Sequence, residues 1–141
     1  MNAFVDALAE QITRTCENGG MLRIVGGDSK AFYGGAPVGD TLSLARHQGV
    51  ISYEPTELVV TVRSGTPLAE LQATLAGEGQ MLAFEPPAFG ASATIGGTIA
   101  CGLSGPARPY RGAARDYVLG VNCVNGKGQY LRFGGQVMKN V

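Results

Sequence analysis

The segment that most constrains the fold is 93–105, which reads Ala-Thr-Ile-Gly-Gly-Thr-Ile-Ala-Cys-Gly-Leu-Ser-Gly. Its side chains are mostly small and none is charged. Because glycine lacks a Cβ, such a backbone can approach a neighbouring group more closely than an ordinary segment can. An isolated Gly-Gly pair usually marks only a turn. Here a second glycine-rich loop, Val25-Gly26-Gly27-Asp28-Ser29-Lys30, follows a short apolar run upstream, so the pair of segments predicts a cofactor held by main-chain groups.

Length, charge and cysteine content exclude several classes of protein. A chain of 141 residues suffices for one domain or part of one. Lys and Arg balance Asp and Glu at 11 each, so no nucleic-acid partner and no broad anionic-membrane surface is expected. Cys16, Cys101 and Cys123 lack metal-site spacing and indicate reduced thiols in a cytosolic protein. No stretch approaches the roughly 20 apolar residues of a transmembrane segment.

The local patterns predict a mixed α+β domain. Helical periodicity predicts a helix over Asn2–Glu17, stopped by Asn18-Gly19-Gly20, and a second helix with Thr66 as N-cap that runs to Gly77. Thr94 is predicted to cap a single short turn. Strands are predicted at 22–25, 41–44, 50–53, 58–63, 116–124 and 129–133, the last two joined by a hairpin turn at 125–128.

A change in character near Glu54 divides the chain into two predicted lobes. The first, about 1–53, is a small α/β lobe, and the second, about 54–141, is larger and rich in strands and glycine. We interpret them as two subdomains of one cofactor-binding unit.

The first glycine loop is a candidate anion site. Consecutive glycines allow several backbone N–H groups to face one concavity, which suits the oxygens of a pyrophosphate. The Ser29 hydroxyl and the Lys30 ammonium could add a donor and a positive charge, whereas the Asp28 carboxylate must turn away. The chain contains neither a Walker P-loop nor a Gly-x-Gly-x-x-Gly motif, so the two common nucleotide motifs are absent from its sequence.

Placed in order along the chain, the motifs resemble the FAD-binding domain of the vanillyl-alcohol oxidase and p-cresol methylhydroxylase superfamily. The matching segments are 25–30, 93–105, Tyr110-Arg111-Gly112 and 116–121 before the hairpin. Segments 27–32, 53–60, 79–82 with Glu85-Pro86-Pro87, 131–135 and 137–141 further resemble the E-subunit family of bacterial glycolate oxidases. The resemblance implies an α+β, two-subdomain FAD-binding domain of the p-cresol methylhydroxylase type that is incomplete at its C-terminus.

The resemblance also implies a set of cofactor-binding residues. In this family the first loop holds the FAD pyrophosphate, the second segment lines the flavin, and the position of Val121 meets the adenine through its backbone. Fixed N–H dipoles would stabilise the negative charge that reduction adds near N1 and O2 of the flavin. The implied residues are Val25, Gly26, Gly27, Asp28, Ser29, Lys30, Gly97, Thr98, Ala100, Cys101, Gly102, Ser104, Gly105, Tyr110, Gly112 and Val121.

Non-covalent FAD is expected, because some family members attach the cofactor through a histidine in the first loop and this loop has none. His47, the single histidine, lies in a turn elsewhere in the sequence. No catalytic residue and no metal ligand is predicted. The Lys139-Asn140 pair resembles the start of a family segment that passes near the flavin. Arg108, Arg111 and Arg115 either bind phosphate or a substrate carboxylate through bidentate hydrogen bonds, or belong to a solvated loop paired with Asp116.

The activity implied by the resemblance is oxidation of glycolate to glyoxylate, with hydride passing to FAD. The implied partners in the complex are a homologous flavin subunit of the D type and an iron-sulfur subunit of the F type. Three cysteines are too few for the four thiolates that usually hold an iron-sulfur cluster, so electrons would leave through a partner. The implied location is cytoplasmic, with a peripheral association at the inner membrane through the complex.

Two alternative functions remain open. Many relatives have other residues at Cys101, Gly102 and Ser104, which suggests a non-catalytic assembly subunit with a vestigial FAD site. The other alternative is a flavin oxidoreductase for a different 2-hydroxy acid such as lactate.

Overall fold

The computed structural model describes residues 2–137 and contains both helices and strands. The helices are α1 (Ala3–Glu17), α2 (Leu68–Gly77), α3 (Ile95–Cys101) and α4 (Arg108–Arg111), with 3-10 turns at Pro55–Glu57 and Ala114–Tyr117. The strands are β1 (Leu22–Val25), β2 (Asp40–Ser43), β3 (Val50–Glu54), β4 (Val59–Val62), β5 (Gly120–Val124) and β6 (Tyr130–Gly134). They pair within the described residues as β1 with β2, β3 with β4, and β5 with β6. Lys139-Asn140 lies outside these residues.

The contacts divide the chain into two units that are discontinuous in sequence. Unit A consists of the described parts of 1–24, 36–42 and 118–141, and unit B consists of Val25–Gly35 and Ser43–Tyr117. Both glycine segments belong to unit B. The division into lobes near Glu54 stays a prediction.

Unit A is built from α1, the β5–β6 hairpin and the β1–β2 pair without the last residue of each of these two strands. The predicted first helix is confirmed: the Asn2 side chain caps it by accepting from the Phe4 N–H at 2.7 Å, and Gly19 ends it with a φ of 63°. The hairpin turn packs closely on α1, because a Cβ on Gly128 would overlap the Thr13 hydroxyl.

The predicted hairpin is also confirmed, with a later start to its first strand. Val121 pairs with Phe133 and Val124 with Tyr130 in an antiparallel register. At the turn, Asn125 Oδ1 accepts from the Lys127 and Gln129 N–H groups at 2.9 and 3.0 Å. The strand begins at Gly120 rather than at 116, because residues 114–117 form a 3-10 turn.

The core of unit B lies where α2 packs against β3, β4 and the second glycine segment. Leu68, Leu71 and Leu75 are buried together with Ala93 and Ile95. Tyr53, Val60, Val62, Leu82 and Ile99 pack around them. Burying a leucine side chain contributes about 1.5–3 kcal/mol, so this cluster fixes the position of segment 93–105 relative to α2.

The second predicted helix is present as α2, but the residue predicted to cap it is wrong. Thr66 does not cap the helix, which begins at Leu68 with Pro67 as its N-cap residue. The Thr66 hydroxyl instead accepts from the Gly49 N–H at 2.9 Å and donates to the Arg63 carbonyl at 2.7 Å. The Leu68 N–H donates to the Ala93 carbonyl at 2.8 Å. A backbone contact with the second glycine segment therefore satisfies the first turn of α2 in place of a side chain.

Candidate functional site

The two glycine segments contact each other directly within unit B. A Cβ on Gly26 would overlap the Thr94 hydroxyl, and a Cβ on Gly27 would overlap the Ser92 carbonyl. The Ser92 hydroxyl donates to the Gly27 carbonyl at 2.7 Å. Only glycine allows the first loop to lie this close, so these two positions are required by packing as well as by turn geometry. The prediction that both segments contribute to one place is consistent with this geometry.

The first loop presents unbonded donors. Within residues 2–137, the backbone N–H groups of Gly26, Gly27, Ser29 and Lys30 donate no hydrogen bond. Asp28 adopts a φ of 56°, which is uncommon for a residue with a side chain, and is exposed. A loop with several unbonded N–H groups around one left-handed residue can donate to an anion.

The second segment forms α3, which is longer than the single turn predicted. Thr94 is its N-cap as predicted, since its hydroxyl oxygen accepts from the Gly97 N–H at 3.2 Å. The Ile95 and Gly96 N–H groups donate to the Thr66 and Ser64 carbonyls at 2.9 and 2.8 Å. The first amides of α3 are therefore occupied by protein and are not available to a ligand.

The candidate residues in α3 differ in exposure. Thr98 is 1% exposed, and its hydroxyl donates to the Thr94 carbonyl at 2.9 Å. Cys101, the last residue of α3, is half-buried and is a free thiol, as are Cys16 and Cys123. Ala100 is exposed. The side chain of Thr98 thus holds α3 in the core, while Ala100 and Cys101 lie nearer the surface.

The turn after α3 carries further unbonded donors. Gly102 closes the helix with a φ of 65°. In the part of the chain that the structure describes, the N–H groups of Leu103, Ser104 and Gly105 donate no hydrogen bond. Ser104 is 5% exposed, and an unpaired backbone N–H at such a position is costly unless a partner is supplied. The turn at 102–105 is therefore a second place that can donate to a ligand.

Glu85 holds this turn from the side. Its N–H donates to the Ser104 carbonyl at 3.0 Å, and its carboxylate accepts from the Ala107 N–H at 3.1 Å. Arg111 Nη1 lies 3.9 Å from the same carboxylate. The sequence did not single out Glu85 as a functional residue.

The remaining arginines and the candidates that follow the turn are more exposed. Arg115 Nε lies 3.8 Å from Asp116 Oδ1, which is the solvated pairing that the sequence offered as one interpretation of the cluster. Tyr110 is 93% exposed. Gly112 follows α4 with a φ of 87°, a conformation that favours glycine.

An aromatic pair that the sequence patterns did not indicate connects the first loop with the residues just before the second segment. The rings of Phe32 and Phe89 meet edge to face with their centroids 5.1 Å apart. Phe89 has a φ of 53°, and both rings are more than half exposed. The spacing of 57 positions between these residues left no local pattern that could have revealed the contact.

Further features of the described chain contribute no donor to either turn. Burial, and secondarily the charge of Arg63, lower the pKa of His47. An open cleft of about 430 Å³ is lined by residues that include Gln72, Met81 and Glu85. In unit A, Val121 lies on β5 opposite Phe133 and is 48% exposed.

Residues 2–137 contain no cluster of three metal-ligating side chains. No described helix combines the length and apolar character needed to cross a membrane.

Comparison with known sequences gives one family and two informative relatives. Residues 5–134 match the family described as "FAD binding domain". The chain is 50% identical over 138 residues to glycolate oxidase subunit GlcE of Escherichia coli (strain K12), covering 98% of this chain and 39% of that protein. It is 30% identical over 101 residues to D-lactate dehydrogenase of Anaerostipes hadrus, covering 72% of this chain and 21% of that protein. The chain thus spans well under half the length of either relative.

Solved structures share the fold at low sequence identity. Xylooligosaccharide oxidase from Myceliophthora thermophila C1 superposes with a TM-score of 0.74 at 20% identity, over 94% of this chain and 28% of that one. 6-Hydroxy-D-nicotine oxidase from Arthrobacter nicotinovorans superposes with a TM-score of 0.70 at 18% identity, over 92% of this chain and 28% of that one. At these identities the likeness concerns the backbone arrangement.

Proposed function

This chain belongs to the FAD-binding domain family, and from that premise we propose that it forms the FAD-binding part of a glycolate oxidase subunit. The α+β fold predicted from the sequence is the fold of this family. The proposal concerns which residues hold the cofactor, which acid is oxidised and which subunits assemble with this one.

The observation that carries the proposal is the contact between the two glycine segments. Gly26 and Gly27 lie against Thr94 and Ser92 at the start of the second segment. The donors left unbonded are in the first loop and in the turn after α3. A dinucleotide has negatively charged oxygens at its centre and ring acceptors at one end, so two separate groups of donors suit it.

The first loop would bind the pyrophosphate. The N–H groups of Gly26, Gly27, Ser29 and Lys30 are the donors, and the Lys30 ammonium supplies positive charge. Hydrogen bonds to charged groups contribute about 1.5–3 kcal/mol each, so a few such donors account for tight binding. Asp28 is the residue of this loop with a positive φ, at 56°.

The turn at 102–105 would face the flavin ring. When bound, FAD supplies the hydride acceptor, and the chain supplies binding, orientation and fixed dipoles. The first loop contains no histidine for covalent attachment, and the Cys101 thiol is half-buried at the end of α3. Non-covalent binding therefore remains our proposal.

Glycolate is the substrate that we propose, because the relative with 50% identity is a glycolate oxidase subunit. In that assignment the partners are a homologous flavin subunit of the D type and an iron-sulfur subunit of the F type, which would receive the electrons. The complex would be cytoplasmic, with a peripheral association at the inner membrane. The 30% identity to a D-lactate dehydrogenase favours lactate as the second candidate substrate.

A single set of measurements tests these points. The purified protein should bind FAD and release it on denaturation, which distinguishes non-covalent from covalent attachment. The assembled complex should reduce its flavin faster with glycolate than with D-lactate, and the opposite order would select the lactate alternative. A protein that assembles normally but shows no flavin absorbance would support the non-catalytic assembly role instead.

A further inference from the structure

Two of the unbonded donors in the turn after α3 have fixed directions. Each backbone N–H belongs to a planar peptide group whose other end is the carbonyl of the preceding residue. The Leu103 N–H shares its group with the Gly102 carbonyl, and the Gly105 N–H shares its group with the Ser104 carbonyl. In a trans peptide the two bonds point in opposite directions, so anchoring the carbonyl orients the N–H.

Both carbonyls are anchored by the protein. The Ser104 hydroxyl donates to the Gly102 carbonyl at 3.0 Å, and the Glu85 N–H donates to the Ser104 carbonyl at 3.0 Å. These two bonds hold the carbonyl ends of the two peptide groups. The N–H ends of Leu103 and Gly105 make no hydrogen bond within residues 2–137.

The anchoring residues are themselves held in place. The Ser104 hydroxyl oxygen accepts from the Ala114 N–H at 2.9 Å, and Ala114 is 1% exposed. The Glu85 carboxylate accepts from the Ala107 N–H at 3.1 Å and lies 3.9 Å from Arg111 Nη1. A Cβ on Gly105 would lie 2.6 Å from the Glu85 Cβ, so Gly105 has no room to move toward Glu85.

We infer that Ser104 and Glu85 are positioning residues that aim the Leu103 and Gly105 N–H groups at the carbonyl acceptors of the flavin ring. This inference rests on the proposed function, because it takes FAD as the ligand. Ser104 acts through its hydroxyl and not by contact with the cofactor. The Ser104 side chain fixes the turn through its hydrogen bond to the Gly102 carbonyl, which a glycine at this position could not make.

The test compares FAD with ADP, which has the pyrophosphate and the adenosine but lacks the flavin ring. Variants Ser104→Ala, Glu85→Ala and Glu85→Gln are titrated with both ligands. Ser43→Ala and Glu57→Gln are the matched controls, since both residues are exposed and lie outside the turn. Because one hydrogen bond corresponds to about a tenfold change in affinity, the Kd for FAD should rise about tenfold in Ser104→Ala, which loses the bond to the Gly102 carbonyl. Glu85→Ala keeps the N–H that holds the Ser104 carbonyl and loses only the carboxylate that fixes Glu85 in place, so its Kd for FAD should rise by less than about tenfold.

The ratio of the two affinities identifies the role. The Kd for ADP should stay unchanged in every variant. The Kd of Glu85→Gln for FAD should lie between the values of wild type and Glu85→Ala, because the glutamine amide oxygen can still accept from the Ala107 N–H. The midpoint potential of bound flavin should become more negative in the alanine variants, since the donors favour the charge gained on reduction. If Ser104→Ala does not fold, the two Glu85 variants decide alone.

Two results would overturn the inference, and they differ from each other. Equal weakening of FAD and ADP, or no weakening of either, would mean that Ser104 and Glu85 have a general structural role or none. A wild-type protein that binds neither ligand would refute the proposed function, and with it the identity of the ligand assumed here.

Discussion

Replacing Gly27 with alanine should disrupt the junction of the two glycine segments. The new Cβ would overlap the Ser92 carbonyl oxygen, and relieving the overlap requires the loop or the carbonyl to move by more than an ångström. That movement also breaks the bond from the Ser92 hydroxyl to the Gly27 carbonyl. Overpacking costs about 1–3 kcal/mol and the lost hydrogen bond about 1 kcal/mol, so we expect a loss of about 2–4 kcal/mol in the free energy of unfolding.

The loss should extend to binding, because the displaced residues carry the N–H groups that we propose as donors to the pyrophosphate. Losing one hydrogen bond to a charged oxygen corresponds to at least about a tenfold rise in Kd. Since in that proposal the first loop binds the pyrophosphate that FAD and ADP share, the Kd values for both ligands should rise together. This differs from the outcome expected for Glu85 and Ser104, where FAD alone is affected.

Gly35→Ala is the matched control, because a Cβ on Gly35 would meet nothing within 4 Å. Its free energy of unfolding should equal that of wild type or rise by about 0.4–1 kcal/mol. Urea denaturation followed by circular dichroism gives the stability, and calorimetric titration gives both Kd values. A Gly27→Ala protein as stable as the Gly35→Ala protein, with wild-type affinity for ADP, would refute the packing of the first loop against Ser92.

Three further substitutions test the surroundings of the site by urea denaturation. Thr94→Ala removes the acceptor for the Gly97 N–H and should lower the free energy of unfolding by about 1 kcal/mol, whereas Thr94→Ser should be as stable as wild type. Equal losses of stability in the two variants would contradict the role of Thr94 as N-cap. Thr66→Val leaves the Gly49 N–H without its acceptor and should lower the free energy of unfolding by about 1–3 kcal/mol. An unchanged urea midpoint would argue against the hydrogen bond between Thr66 and Gly49. His47, whose pKa is lowered by burial, takes up its proton less readily folded than unfolded, so stability should fall as the pH drops below the unfolded value of about 6.5. His47→Gln should reduce that pH dependence. Identical profiles of stability against pH for His47→Gln and wild type would contradict the assignment to His47.

Local signals were sufficient for the elements whose ends are set by nearby residues. Helix α1 begins at an asparagine cap and ends at a glycine with positive φ, and both residues stand in the sequence where the rules place them. The β5–β6 turn likewise depends on Asn125 and its immediate neighbours. Such elements can be predicted because the groups that satisfy their ends lie within a few positions.

The start of α2 could not be predicted in the same way. Thr66-Pro67 is a typical start of a helix, yet the Leu68 N–H finds its acceptor in Ala93, 25 positions away. Once a distant backbone carbonyl takes that place, the Thr66 hydroxyl becomes free to bond elsewhere, and it joins Gly49 to Arg63. The choice between the two arrangements depends on packing that no single sequence window contains.

The same reasoning explains why the glycine-rich sequence indicated the close contact between the two segments but not which backbone donors stay unbonded. Several glycines allow protein groups, not a cofactor, to come close: Gly96 lies against Ser64, and Gly26 lies against Thr94. Those contacts occupy the first amides of α3, so the helix start cannot serve a ligand. The donors left over are in the flanking turns, where Asp28 and Gly102 adopt positive φ and turn the backbone away from its regular partners. Glycine content therefore predicts a close approach, and only the hydrogen-bond pattern distinguishes an approach filled by the protein from one that leaves backbone donors unbonded.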